Sequence, residues 1–173
     1  EKARGNGATV VVIDPIRTVT ADVADWFLQL RPGTDVAFAL GVMHVIVRDD
    51  LVDHEHLERF STGFDELVDH VSDWTPDRVA AECGVDALEI ERFAREYATS
   101  GASFIRTLVG AEHRESGAQF FRTVSLLPVL TGAWKHLGGG YSRSVGSYSR
   151  SSVDLSKFSA PHLSSVVDRR PIS

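Results

Sequence analysis

Apolar residues run without a break from Val10 to Ile13, a pattern that predicts a strand over Thr9–Asp14 buried on both faces. Asp14 and Pro15 close it, since neither a charge nor a residue without an N–H extends a buried ladder. Trp26–Leu30 predicts a second short strand, closed by Arg31-Pro32-Gly33-Thr34-Asp35. From Asp35 to Arg48 the chain is apolar nearly all round, which predicts a buried helix. Thr34 or Asp35 can cap it, and Asp49 and Asp50 mark its exit. Two short amphipathic helices are expected over residues 53–60 and 64–73, broken by Ser61-Thr62-Gly63. Thr75, Pro76 and Gly84 are the residue types of an N-cap, a first helical position and a C-cap. Asp86 with Glu89 three residues on has the form of a capping box, and its helix is expected to end near Gly101. Ser103–Gly110 reads as a third strand. Residues 115–132 read as a further helix, with Pro128 kinking or ending its regular part.

Strands separated by helical stretches predict an α/β fold: a mainly parallel sheet with helices on both faces and Val10–Ile13 at or near its centre. After Thr131 the apolar periodicity is lost. Residues 138–173 are expected to be a Gly/Ser-rich loop and tail, separate from a folded domain over 1–137, and ordered by contacts elsewhere. Gly138–Gly140 lacks the strand-turn-helix context of a dinucleotide fingerprint and reads as a flexible turn.

The chain has 173 residues and 43% hydrophobic residues, enough for one domain with a real core. A net charge of -6 without a basic patch argues against a nucleic-acid partner. One cysteine, Cys83, rules out an internal disulfide or a multi-cysteine zinc or iron–sulfur site, and it reads as a packed residue near a helix end. No apolar run reaches transmembrane length and no signal peptide is visible, which leaves the cytoplasm as the expected compartment or the compartment unassigned. A start at Glu1, close to the first strand, reads as an excised piece or a processed product.

Candidate chemistry concentrates where strands end. In open α/β sheets ligands bind at the carboxyl ends of the strands, where Asp14 falls. Asp and Pro are also turn formers, and the stretch alone does not separate the two readings. Asp35 can be a ligand carboxylate or an N-cap, and Arg17 can meet an anion or pair with Asp14 or Asp22 in solvent. Gly110, Glu112 and His113 follow the third strand, where His113 is a ligand-edge residue or a surface loop histidine. His54 and His56 lie two apart, on different sides of a helix, and make a poor metal pair. His44 reads as a satisfied core histidine. The serine-rich stretch 142–152 has no Gly-x-Ser-x-Gly elbow, so a serine hydrolase is not expected.

The run Asp14-Pro15-Ile16-Arg17-Thr18, then Ala24-Asp25, then Arg31-Pro32-Gly33-Thr34-Asp35 resembles the middle of the catalytic subunit of the molybdopterin oxidoreductases, the dimethyl sulfoxide reductase family. That family includes formate dehydrogenases and nitrate reductases. The resemblance extends through residues 64–98, then through residues 110–117 and 126–140. Ile16 replaces the first arginine of the family's pattern, which removes one cofactor contact. The resemblance implies a three-layer αβα, Rossmann-like domain. It implies a molybdenum bis(molybdopterin guanine dinucleotide) cofactor in the parent enzyme, with this domain holding one guanosine end. Cofactor contacts are then expected from Asp14, Pro15, Ile16, Arg17, Thr18, Gly33, Thr34, Asp35, Gly110 and His113. Asp35 is the stronger guanine candidate, because one carboxylate accepts both N–H donors of guanine's edge. Arg17 would meet phosphate or stack on the base. Gly33 and Thr34 would offer close approach and N–H donors at a helix N-terminus.

The family's iron–sulfur cysteine cluster and its molybdenum ligand have no match in this chain. The resemblance therefore implies a fragment, catalytically incompetent alone, whose partners are the remaining domains of the parent and an electron-transfer subunit. A nucleotide-binding or interaction module without redox activity is the alternative.

Overall fold

Asp35–Arg48 forms the helix against which the others pack, because apolar side chains surround it: Val42, Met43, Val45 and Ile46 are wholly removed from solvent. Burial of each such side chain contributes about 1.5–3 kcal/mol. The computed structural model describes residues 2–113 and 117–143. In chain order the elements are α1 (Lys2–Gly5), β1 (Val11–Ile13), α2 (Val19–Asp22), β2 (Trp26–Leu28) and α3 (Asp35–Arg48). Then come α4 (His54–Phe60), α5 (Phe64–Val71), α6 (Pro76–Cys83), α7 (Ala87–Thr99), β3 (Phe104–Arg106), α8 (Gly117–Leu130) and β4 (Gly140–Ser142). Single 3-10 turns occupy Val109–Glu112 and Ala133–Lys135.

Helix α3 contacts α5, α6, α7 and α8, and their inward faces make one apolar cluster with Leu28 and Leu30. Gly41 lets α6 approach closely, since a Cβ there would lie 2.8 Å from Val79 Cγ2. At the exit of α3, Arg48 and Arg95 each bond both Asp49 and Glu91, which ties α3 to α7 through four charges. The local helix signals hold. Thr75 caps α6 by accepting from Arg78 N–H, Pro76 opens it, and Gly84 ends it in the left-handed region at φ 82°. Asp53 caps α4 through His56 N–H, and Asp86 caps α7 through Leu88 N–H.

The α/β class and the parallel pairing stand, but the strands do not form one sheet with Val10–Ile13 at its centre. Among the described residues they form two parallel pairs, β1–β2 and β3–β4. Val11 and Val12 are half-buried and Ile13 is 38% exposed, because among the described residues β1 pairs with β2 alone. Of the expected Gly138–Gly140 turn, Gly138 lies in a turn, but the segment passes into a strand. Gly140 begins β4, its N–H donating to Ser103 O at 2.8 Å, and a Cβ on Gly139 would fall 2.2 Å from Ala133 O. Gly139 and Gly140 serve close backbone approach, while Gly138 stands in open space at φ 89°. Helix α8 runs past Pro128 to Leu130, with the proline buried, so Pro128 does not end it. The tail expected over 138–173 lies outside the described residues from 144 onward.

Candidate cofactor-binding edge

Parallel pairing brings the carboxyl ends of β1 and β2 to one edge. The register Ile13↔Leu28 continues one step further, with Asp14 N–H donating to Leu28 O at 3.2 Å. Past the strand end, Gln29 Nε2 donates to Pro15 O at 2.9 Å. Leu30 turns inward and is buried, and Arg31 starts the turn into α3. The segments Asp14–Thr18 and Gly33–Asp35 therefore flank the same strand ends.

Asp14 accepts the N–H of Ile16 through Oδ1 at 2.8 Å, an Asx turn that shapes its own loop. Pro15 and Ile16 are exposed. Arg17 bonds Asp22 Oδ1 at 2.9 Å and stands over the Phe27 ring, 5.3 Å from its centroid. Both partners of that ion pair are 60% exposed, so it is worth at most about 1 kcal/mol and is easily exchanged for another anion. Thr18 caps α2 through Ala21 N–H.

Gly33 holds φ 84°, a conformation that L side chains rarely adopt. Thr34 occupies the N-cap position of α3, yet its side chain does not cap the helix. Its hydroxyl donates to Arg31 O at 2.8 Å, and its N–H goes to the same carbonyl at 3.3 Å. Asp35 is the first helical residue rather than the cap. It is half-buried, and its carboxylate has no hydrogen-bond or ion-pair partner among the described residues. The first turn of α3 thus presents N–H groups without a side-chain cap, beside a free carboxylate.

Gly110 and His113 lie after β3, at the carboxyl end of the second strand pair, and both are exposed. No bond joins them to the β1–β2 edge among the described residues. His44 is half-buried rather than in the core. His44 Nδ1 meets Val71 O at 3.0 Å, and His54 pairs with Asp50 while His56 is buried, so the two do not share a ligand. Among the described residues no cluster of His, Cys, Asp and Glu is arranged to hold a metal. Cys83 is buried, and burial pushes its thiol up. A groove of about 560 Å³ between α3, α5 and α8 is lined by Leu40, Phe64, Leu67 and Leu126, and includes none of the edge residues.

Sequence reasoning missed Gln29 and Arg31, which hold the two loops in place. A period-two signal was available, since Gln29 and Arg31 flank an inward Leu30, but their partners are distant in sequence.

The family model for molybdopterin oxidoreductases matches residues 1–166. The chain belongs to that family. It is 41% identical over 140 residues to the probable oxidoreductase YoaE of Bacillus subtilis, covering 81% of this chain and 21% of that protein. It is 33% identical over 130 residues to formate dehydrogenase H of Escherichia coli, covering 75% of this chain and 18% of that protein. Among solved structures, acetylene hydratase from Pelobacter acetylenicus superposes with a TM-score of 0.75 at 34% identity, covering 80% of this chain and 19% of that one. The chain spans about a fifth of the length of the curated relatives it matches. No helix among the described residues is long and apolar enough to cross a membrane.

Proposed function

We propose that this molybdopterin oxidoreductase chain forms one wall of the site for the guanosine end of a molybdopterin guanine dinucleotide, within a larger molybdenum-dependent oxidoreductase. The observation that carries the reading is Asp35. A carboxylate at the first helical position, half-buried and without a partner among the described residues, is available to accept two donors at once. The donor set fits a nucleotide end. Gly33 supplies close backbone approach, the uncapped α3 turn favours anionic groups, and Arg17 exchanges a weak exposed partner for phosphate or base. Asp14, Pro15, Ile16 and Thr18 shape the facing loop, and Gly110 and His113 stand at the second strand pair. The bound group supplies the electron exchange with substrate; this chain holds and orients one end of it. Alone it is catalytically incompetent, with the iron–sulfur cluster, the molybdenum ligand and an electron-transfer subunit supplied from elsewhere in the parent.

Titration of the chain with GDP and ADP, followed by calorimetry or chemical shifts, tests this. Adenine sets one amino donor beside an acceptor, so one carboxylate oxygen faces a lone pair. That mismatch costs roughly 1–3 kcal/mol, about tenfold to a hundredfold in affinity. GDP should bind more tightly by that factor, and Asp35→Asn should lower both the affinity and the preference. Equal response to the two nucleotides, unchanged by Asp35→Asn, refutes the guanine reading and favours a module without this cofactor.

A further inference from the structure

Between β2 and α3 the chain makes a tight turn that carries Gly33 and Asp35, and one side chain fastens that turn to a different helix. Arg31 donates its backbone N–H to Cys83 O at 2.8 Å. Its guanidinium donates through one NH group to Ala81 O at 2.7 Å and Glu82 O at 3.3 Å. Ala81, Glu82 and Cys83 are the last three residues of α6. The final carbonyls of a helix lack intrahelical donors and carry the negative end of its dipole, so a guanidinium there satisfies orphan acceptors and meets a favourable field. Gly84, past the helix end, makes room for it: a Cβ there would lie 3.3 Å from Arg31 Nε. On its other side the Arg31 carbonyl receives both the N–H and the hydroxyl of Thr34. That double acceptance withdraws the Thr34 side chain from capping α3 and leaves the first turn open.

We propose that Arg31 is a positioning residue of the nucleotide edge: by clasping the C-terminus of α6 it fixes the turn that presents Gly33 and the Asp35 carboxylate. The proposal rests on the guanine reading above for its binding consequence, and on the clasp alone for its conformational one. The guanidinium touches α6, so its effect on a ligand passes through the turn. The Arg31 N–H bond to Cys83 O ties the same turn to α6 through backbone alone, and the guanidinium adds the attachments to Ala81 O and Glu82 O. Gln29 fastens the facing loop through Pro15 O, and the Thr34 hydroxyl and N–H go to Arg31 itself while its carbonyl takes the Phe38 N–H.

The test compares the full chain with Arg31→Met, which keeps the stem and removes the donors, and with Arg31→Lys, which keeps a cation at the end of α6. Amide hydrogen exchange at Thr34 reads the turn without ligand. GDP and ADP titrations read the edge, and the thermal midpoint reads global stability. The expected result is Thr34 exchange about tenfold faster in Arg31→Met and a GDP-over-ADP preference reduced by a similar factor. Arg31→Lys should recover most of both, with little change in midpoint in either variant. Unchanged Thr34 exchange in Arg31→Met overturns the proposal. So does an equal loss of GDP and ADP binding that follows a fallen midpoint and is not recovered by Arg31→Lys, because that marks a general structural role. If the unaltered chain shows no GDP preference, the guanine reading fails, and Thr34 exchange alone decides for or against the clasp.

Discussion

Replacement of Gly41 by alanine sets two known effects against each other at one point. Gly41 lies in the interior of α3, where alanine is favoured over glycine by about 1 kcal/mol through backbone entropy. Propensity alone therefore predicts a more stable protein. The structure predicts the opposite sign. The added Cβ would stand 2.8 Å from Val79 Cγ2 and 3.1 Å from both Cβ and Cγ1 of the same residue. Optimal carbon contacts lie near 3.5–4.0 Å, so α3 and α6 must part by roughly 0.7 Å or Val79 must leave its rotamer. Val79 is fully buried and β-branched, which closes the second route. Overpacking of this kind costs about 1–3 kcal/mol, and three close contacts with one rigid side chain point to the upper half of that range. The net expectation is a loss of about 1–2 kcal/mol, or about 2–8 °C in thermal midpoint for a chain of this size. Urea denaturation of Gly41→Ala, Val79→Ala and the double variant measures it, with the double variant recovering most of the Gly41→Ala loss through a coupling of similar size. A Gly41→Ala protein as stable as the parent, or more so, would refute the close approach of α3 and α6.

Two further outcomes follow from features away from the edge. Asp49 and Glu91 are held below the usual carboxylate range, first by hydrogen bonds from Arg48 and then by Arg95. Their protons bind the unfolded chain more readily, so this stabilisation is full above about pH 4.5 and lost as pH falls through the lowered folded values; urea midpoints at several acid pH values should fall less steeply in Asp49→Asn than in the parent. Gly139→Ala should loosen the β3–β4 pairing, since its Cβ meets the Ala133 carbonyl and backbone cannot yield as a side chain does; amide exchange at Gly140 and Thr107, whose N–H groups bond Ser103 O and Ser142 O, should quicken, and unchanged exchange would count against it.

What could be read from the sequence divides along the range of the forces involved. Helices announced themselves where the signal is local, as with Thr75-Pro76 and Gly84 around α6, or where apolar residues cover every side, as in α3. That Asp14–Thr18 and Gly33–Asp35 both follow strand ends was legible, and the parallel pairing of β1 with β2 puts those ends at one edge. Strand β4 was not, since Gly140-Tyr141-Ser142 has little strand propensity and is held by β3, far back in the chain. The capping box at Asp86 is half realised: Asp86 caps, but Glu89 accepts from Trp26 Nε1 at 3.4 Å, a tertiary partner that no local pattern encodes. Asp35 was foreseen as a cap or a ligand carboxylate. Thr34 takes the cap position and then spends its hydroxyl on Arg31, which leaves Asp35 its freedom.

The chain's single thiol sits where two of these arrangements join. Cys83 is the last residue of α6, is sealed from solvent, and lends its carbonyl to the Arg31 N–H. An alkylating reagent reaches its sulfur only when the packing around the end of α6 opens, and that same helix end carries the carbonyls that anchor Arg31. The rate at which the native protein consumes such a reagent is therefore a built-in clock for opening of the packing behind the β1–β2 edge. It needs no introduced label and no foreign residue at the edge itself.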